Sequence, residues 1–185
     1  MGPSQIMSLQ KALNVPNALT LLRIALVPLF IGTYYGAMGT IVPALLFLIT
    51  AATDLIDGYL ARRRSEVTKI GKILDPLADK LLVIAALVLL VESGAIAAWI
   101  AVVIIGREMV VTGLRAIVAS EGTVFAAEIG GKYKMLLQVL SIFLLLLPYP
   151  FFLQIGRFFL IWAMVLALIS AWRYFIAFGH QARLS

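Results

Sequence analysis

This chain of 185 residues predicts an all-α integral membrane protein, a bundle of six transmembrane helices with both termini in the cytoplasm. Three observations carry that prediction. Hydrophobic residues make up 63% of the chain and charged residues 13%, with a mean hydropathy of +1.05; a soluble domain of this size has too little interior to hide so much apolar surface. Apolar segments of about 20 residues, the length that crosses a bilayer, recur along the chain. Finally, Lys and Arg recur at every second turn of the chain: there is none between Arg23 and Arg62, between Lys80 and Arg107, or between Lys134 and Arg157. This is the positive-inside distribution of a multi-span protein. The net charge of +6 therefore points to membrane topology and not to a nucleic-acid partner.

The spans are predicted at roughly 18–35, 40–62, 72–92, 95–117, 132–148 and 154–178. Turn signals separate them at Gly36 and Gly39, Ser93-Gly94, Gly130-Gly131, and Pro148 with Pro150. The connections Tyr34–Gly39, Glu92–Ala97 and Pro148–Gln154 lack Lys and Arg and are placed outside, with Trp99, Tyr149, Tyr34 and Tyr35 as an aromatic belt. The other connections and both ends lie in the cytoplasm. No linker divides the chain, so residues 1–185 read as one transmembrane catalytic domain, with MGPSQI before Met7 as a vector-derived remnant. No cleavable signal peptide is evident. The absence of cysteine excludes disulfides and Cys-ligated metals.

The chemistry is concentrated where the second and third spans meet. Asp54 and Asp57 lie near the cytoplasmic end of one, Asp75 and Asp79 near the start of the other. At about 100° per residue, Asp54, Asp57, Gly58, Ala61 and Arg62 fall within about 140° of one helix face. Gly71, Asp75 and Asp79 follow i, i+4, i+8 and share a face of the next helix. Asp54 and Asp79 each lie about 12 Å along their helices from the cytoplasmic ends, so the four carboxylates can meet at one depth. One reading is structural pairing with Arg62, Lys69, Lys72 and Lys80. It is disfavoured by cost, because each intramembrane charge costs at least about 2.5 kcal/mol. Four hard oxygen donors suit Mg²⁺, Mn²⁺ or Ca²⁺ in preference to zinc. Gly58 and Ala61 leave room for a ligand near the backbone. The pattern therefore points to metal-assisted work on a phosphorylated substrate.

Asp54-x2-Asp57-Gly58-x2-Ala61-Arg62-x8-Gly71-x3-Asp75-x3-Asp79 resembles the signature of the CDP-alcohol phosphatidyltransferase family at all eight fixed positions. The resemblance implies a six-helix membrane core, a homodimer, and a site holding two divalent cations, Mg²⁺ or Mn²⁺. It implies that Asp54, Asp57, Asp75 and Asp79 are the metal ligands and that Asp79 is the catalytic base. By the same resemblance Asn17, Thr20, Asp54, Asp57, Gly58, Ala61, Arg62, Gly71 and Asp75 bind the CDP-lipid, CDP-diacylglycerol. Without the resemblance, Asn17 reads equally well as a helix cap and Arg23 as an interfacial anchor.

Further segments bear on the acceptor alcohol. GREMVVTGLR places Arg107, Glu108, Thr112 and Arg115 on one helix face, and GGKYK supplies Lys132 and Lys134. Such cations beside carboxylates call for an anion of their own, and Arg forks onto phosphate oxygens. Positive-inside anchoring is the alternative for the two lysines; Arg107 is too deep for it. Together with NVPNALTLLRIALVP and LDPLADKLL, these segments resemble the glycerophosphate-using branch of the family. That implies glycerol 3-phosphate as acceptor, bound by Arg107, Arg115, Lys132 and Lys134. The last span carries nothing diagnostic, and His180 reads as solvated. The competing readings are phosphatidylinositol phosphate, phosphatidylserine or cardiolipin synthases within the family, an aspartate-rich prenyltransferase, and a cation transporter. A transporter would place its acids near the midplane between repeated, broken helices, and no repeat is visible here.

Overall fold

The computed structural model describes the backbone at residues 15–36, 39–64, 71–120 and 130–181, and side chains at 21–36, 39–53, 80–117 and 134–176. Those segments form six helices: α1 (Val15–Gly36), α2 (Val42–Arg64), α3 (Gly71–Glu92), α4 (Ala98–Ser120), α5 (Gly130–Leu146) and α6 (Pro150–Gln181). Each answers one predicted span, with its ends moved by a few residues. The main correction is at α6, which starts at Pro150, so most of the connection placed at Pro148–Gln154 is helical. Proline fits the first helical position because its missing N–H has no intrahelical acceptor there and its φ is already helical. Gly130 and Gly131 likewise form the first turn of α5 instead of a connection. Gly39 and Gly94 do sit in turns, at φ 83° and 72°, where a side chain would be strained.

Among the described residues one helical segment, Pro150–Ile176, is long and apolar enough to cross a membrane; Leu21–Gly36, Val42–Thr53 and Lys134–Leu146 are shorter apolar segments. The helices are distributed over two compact units, Met1–Leu89 and Leu90–Ser185, divided within α3.

In the first unit α1 packs on α2. Phe30 and Phe47 are fully buried, their ring centroids 6.0 Å apart and tilted by 50°. Thr50 is buried and donates its hydroxyl to Leu46 O at 2.7 Å; Thr53 does the same to Thr50 O at 2.7 Å. Back-bonding of this kind lets a hydroxyl sit in an apolar helix with its donor satisfied. Tyr34 departs from the aromatic belt. It is buried, and its hydroxyl donates to Leu89 O at 3.3 Å, so its polar end is satisfied inside the protein. Tyr35, Trp99 and Tyr149 are exposed.

In the second unit α6 packs against both α5 and α4. Ser141, Ile142 and Leu160 are fully buried, and Ser141 satisfies its hydroxyl on Gln138 O at 2.8 Å. Arg157 ties α6 to the turn after α3, donating Nε to Ala95 O at 2.6 Å and Nη2 to Gly94 O at 3.2 Å. Among the described glycines Gly156 is the one packed tightly against another helix: an added Cβ would lie 2.8 Å from Leu145 Cγ and 3.1 Å from Leu145 N. The Leu145 main chain cannot swing aside as a side-chain tip can. Gly156→Ala is therefore expected to cost about 1–3 kcal/mol by overpacking, read as a lower thermal unfolding midpoint in detergent. Gly106→Ala, with nothing within 4 Å of the new Cβ, is the control and should not lower it.

Candidate active site

The helical backbone of α2 continues through Asp54, Asp57, Gly58, Ala61 and Arg62, and that of α3 runs from Gly71 through Asp75 and Asp79. Asp54 and Asp57 thus lie one turn apart at the end of α2, and Asp75 and Asp79 one turn apart near the start of α3, the register that sharing a face requires. Their side chains lie outside the described residues, as do those of Asn17, Thr20, Gly58, Ala61, Arg62, Gly71 and Lys132. The donor chemistry fits Mg²⁺ or Mn²⁺, since carboxylate pairs on consecutive helix ends offer only hard oxygen ligands. Among the described residues there is no group of three metal-binding side chains.

The structure is most explicit at Arg107. This residue sits mid-way along α4 and is only 7% exposed, which rules out an interfacial anchor. Its Nε donates to the main-chain carbonyl of Ala167 in α6 at 2.9 Å. Nη1 pairs with the carboxylate of the neighbouring Glu108. Nη2 is buried and has no hydrogen-bond partner among the described residues. A buried charged donor left unmatched costs more than the roughly 1–3 kcal/mol of a neutral one, so this nitrogen is a natural binding point for an anion. Thr112 turns inward on its own helix, donating to Glu108 O at 2.7 Å. Arg115, two turns beyond Arg107, is exposed, with its Cζ 5.0 Å from the centroid of the Tyr174 ring in α6. Lys134 is half-buried in the first turns of α5. Arg23 is 4% exposed, so its interfacial alternative does not hold.

The partners of the two arginines escaped sequence reasoning. Ala167 contributes a carbonyl, which side-chain identity cannot advertise. Tyr174 lies in a span with no diagnostic residues, and only the register of α4 on α6 reveals it.

The model of the CDP-alcohol phosphatidyltransferase family matches residues 13–173, and the chain belongs to that family. Among similar proteins is the CDP-diacylglycerol–glycerol-3-phosphate 3-phosphatidyltransferase of Bacillus subtilis, 42% identical over 180 residues, covering 88% of this chain and 93% of that one. Proteins of the same name from Pseudomonas fluorescens (38% identical, covering 91% of this chain and 95% of that one) and Haemophilus influenzae (36%, covering 86% and 88%) are also similar.

Proposed function

We propose that this protein transfers the phosphatidyl group of CDP-diacylglycerol to sn-glycerol 3-phosphate, giving phosphatidylglycerophosphate and CMP. The relatives share a name that describes this reaction. The structural observation that carries it is Arg107: a buried guanidinium whose Nη2 has no hydrogen-bond partner among the described residues. An acceptor bearing a phosphate dianion matches that group, whereas glycerol, choline or ethanolamine brings no anion.

The roles assigned here are those that the family resemblance implies. Asp54, Asp57, Asp75 and Asp79 would hold two divalent ions, Mg²⁺ or Mn²⁺, which when bound neutralise the donor's pyrophosphate and ease departure of CMP. Asn17, Thr20, Gly58, Ala61, Arg62 and Gly71 receive the CDP-lipid. Arg107, Arg115, Lys132 and Lys134 bind the phosphate of the acceptor. Asp79 takes the proton from the acceptor's hydroxyl as its oxygen bonds to the phosphorus bearing diacylglycerol. The bond from that phosphorus to the CMP oxygen breaks, and its electron pair leaves with CMP. The enzyme is a homodimer of single catalytic domains. Each crosses the cytoplasmic membrane with six spans, both termini inside and the site open to the cytoplasm; the mean hydropathy of +1.05 supports the membrane setting.

The test is CMP release from CDP-diacylglycerol by purified enzyme with a panel of acceptors. Glycerol 3-phosphate should be used at least about 100-fold better than glycerol, serine or inositol 1-phosphate, as loss or misplacement of two charged hydrogen bonds implies. Equal use of inositol 1-phosphate, or preference for an uncharged alcohol, contradicts it.

A further inference from the structure

The last helix, which carries no motif, engages both arginines assigned to the acceptor. Arg107 and Arg115 are two turns apart on α4, and their contacts on α6, Ala167 and Tyr174, are also two turns apart in the same direction. One parallel register of α4 on α6 therefore serves both. The α6 face involved is small where it must be: Ala163, Ala167 and Ala171 are buried, and these short side chains let a guanidinium reach a main-chain carbonyl. That carbonyl has a second lone pair beyond the one used in the helix.

The two contacts restrain their arginines in complementary ways. At Arg107, Nε and Nη1 are committed to Ala167 O and Glu108, which orients the group and leaves Nη2. At Arg115, attraction to the ring face uses the charge without consuming any N–H donor. The guanidinium is held while its donors stay available to fork onto a phosphate. An exposed arginine without such a contact would sample many rotamers, all but a few useless for binding.

We infer that α6 is the positioning element of the acceptor pocket and that Tyr174 is a positioning residue for Arg115, acting through its ring face. The inference rests on the assignment of Arg115 to the acceptor phosphate. The test is two-substrate steady-state kinetics on wild type, Arg115→Ala, Tyr174→Leu, Tyr174→Phe and the double variant Arg115→Ala with Tyr174→Leu. Leucine keeps apolar bulk and removes the π face; phenylalanine keeps the face and removes the hydroxyl. Tyr174→Leu should raise KM for glycerol 3-phosphate by about 2- to 5-fold, the size of an exposed cation–π contact. KM for CDP-diacylglycerol and kcat should stay at the wild-type values. Tyr174→Phe should restore the wild-type KM, and Tyr174→Leu should add nothing once Arg115 is alanine. A Tyr174→Leu that lowers kcat, moves both KM values alike, or adds fully to Arg115→Ala overturns the inference while the acceptor pocket stands. An Arg115→Ala variant with an unchanged KM for glycerol 3-phosphate overturns the Arg115 assignment first, and the inference with it.

Discussion

Asp79→Asn should reduce turnover by at least about 100-fold while the protein still purifies as a folded species in detergent. An amide has no basicity to take the acceptor's proton, and general-base catalysis is worth about 10²- to 10⁴-fold. The amide is also a weaker ligand for a hard divalent ion, so its effect on metal affinity adds to the loss. Chelation should stop the wild type, and added Mg²⁺ or Mn²⁺ should restore it. CMP release under saturating substrates is the measurement, with the thermal unfolding midpoint as the control for folding. If Asp79→Asn retains more than a tenth of wild-type activity, Asp79 is not the base.

Arg107→Ala should raise KM for glycerol 3-phosphate by about 10- to 150-fold, the equivalent of one charged hydrogen bond of roughly 1.5–3 kcal/mol. KM for CDP-diacylglycerol should change little, because Arg62 and the aspartates are assigned to the donor. Arg107→Lys should not rescue the loss. Lysine has one nitrogen where the structure uses three: Nε on Ala167 O, Nη1 on Glu108, and Nη2 left for the ligand. Lys134→Ala should shift the same KM in the same direction. Loss of affinity for CDP-diacylglycerol in both alanine variants, with KM for glycerol 3-phosphate intact, would move this pocket to the donor.

All six helices were legible from the length of the apolar runs, because span length is set by simple geometry. Their ends were less so: Pro150 read as a breaker, though at a helix start it is compatible with the fold. The aspartate motif and Arg107 stood out because charge in apolar sequence is costly and therefore informative. Exposure was not legible. Tyr34 has the composition of a belt residue but is buried with its hydroxyl on Leu89 O, and Arg23 has the look of an anchor but is buried. Least legible was α6. Its contribution at residue 167 is a main-chain oxygen, and Tyr174 acquires meaning only beside Arg115, through a helix register that no local pattern encodes.

The most direct test of the central claim follows the atoms. Purified enzyme is given CDP-diacylglycerol and glycerol 3-phosphate labelled with ¹³C in its glycerol, and the lipid product and CMP are quantified by mass spectrometry. The predicted result is labelled phosphatidylglycerophosphate, its acceptor phosphate retained, formed in equal amount with CMP and only when divalent metal is present. CMP release without incorporation of the label, or incorporation with loss of the acceptor phosphate, would contradict the account.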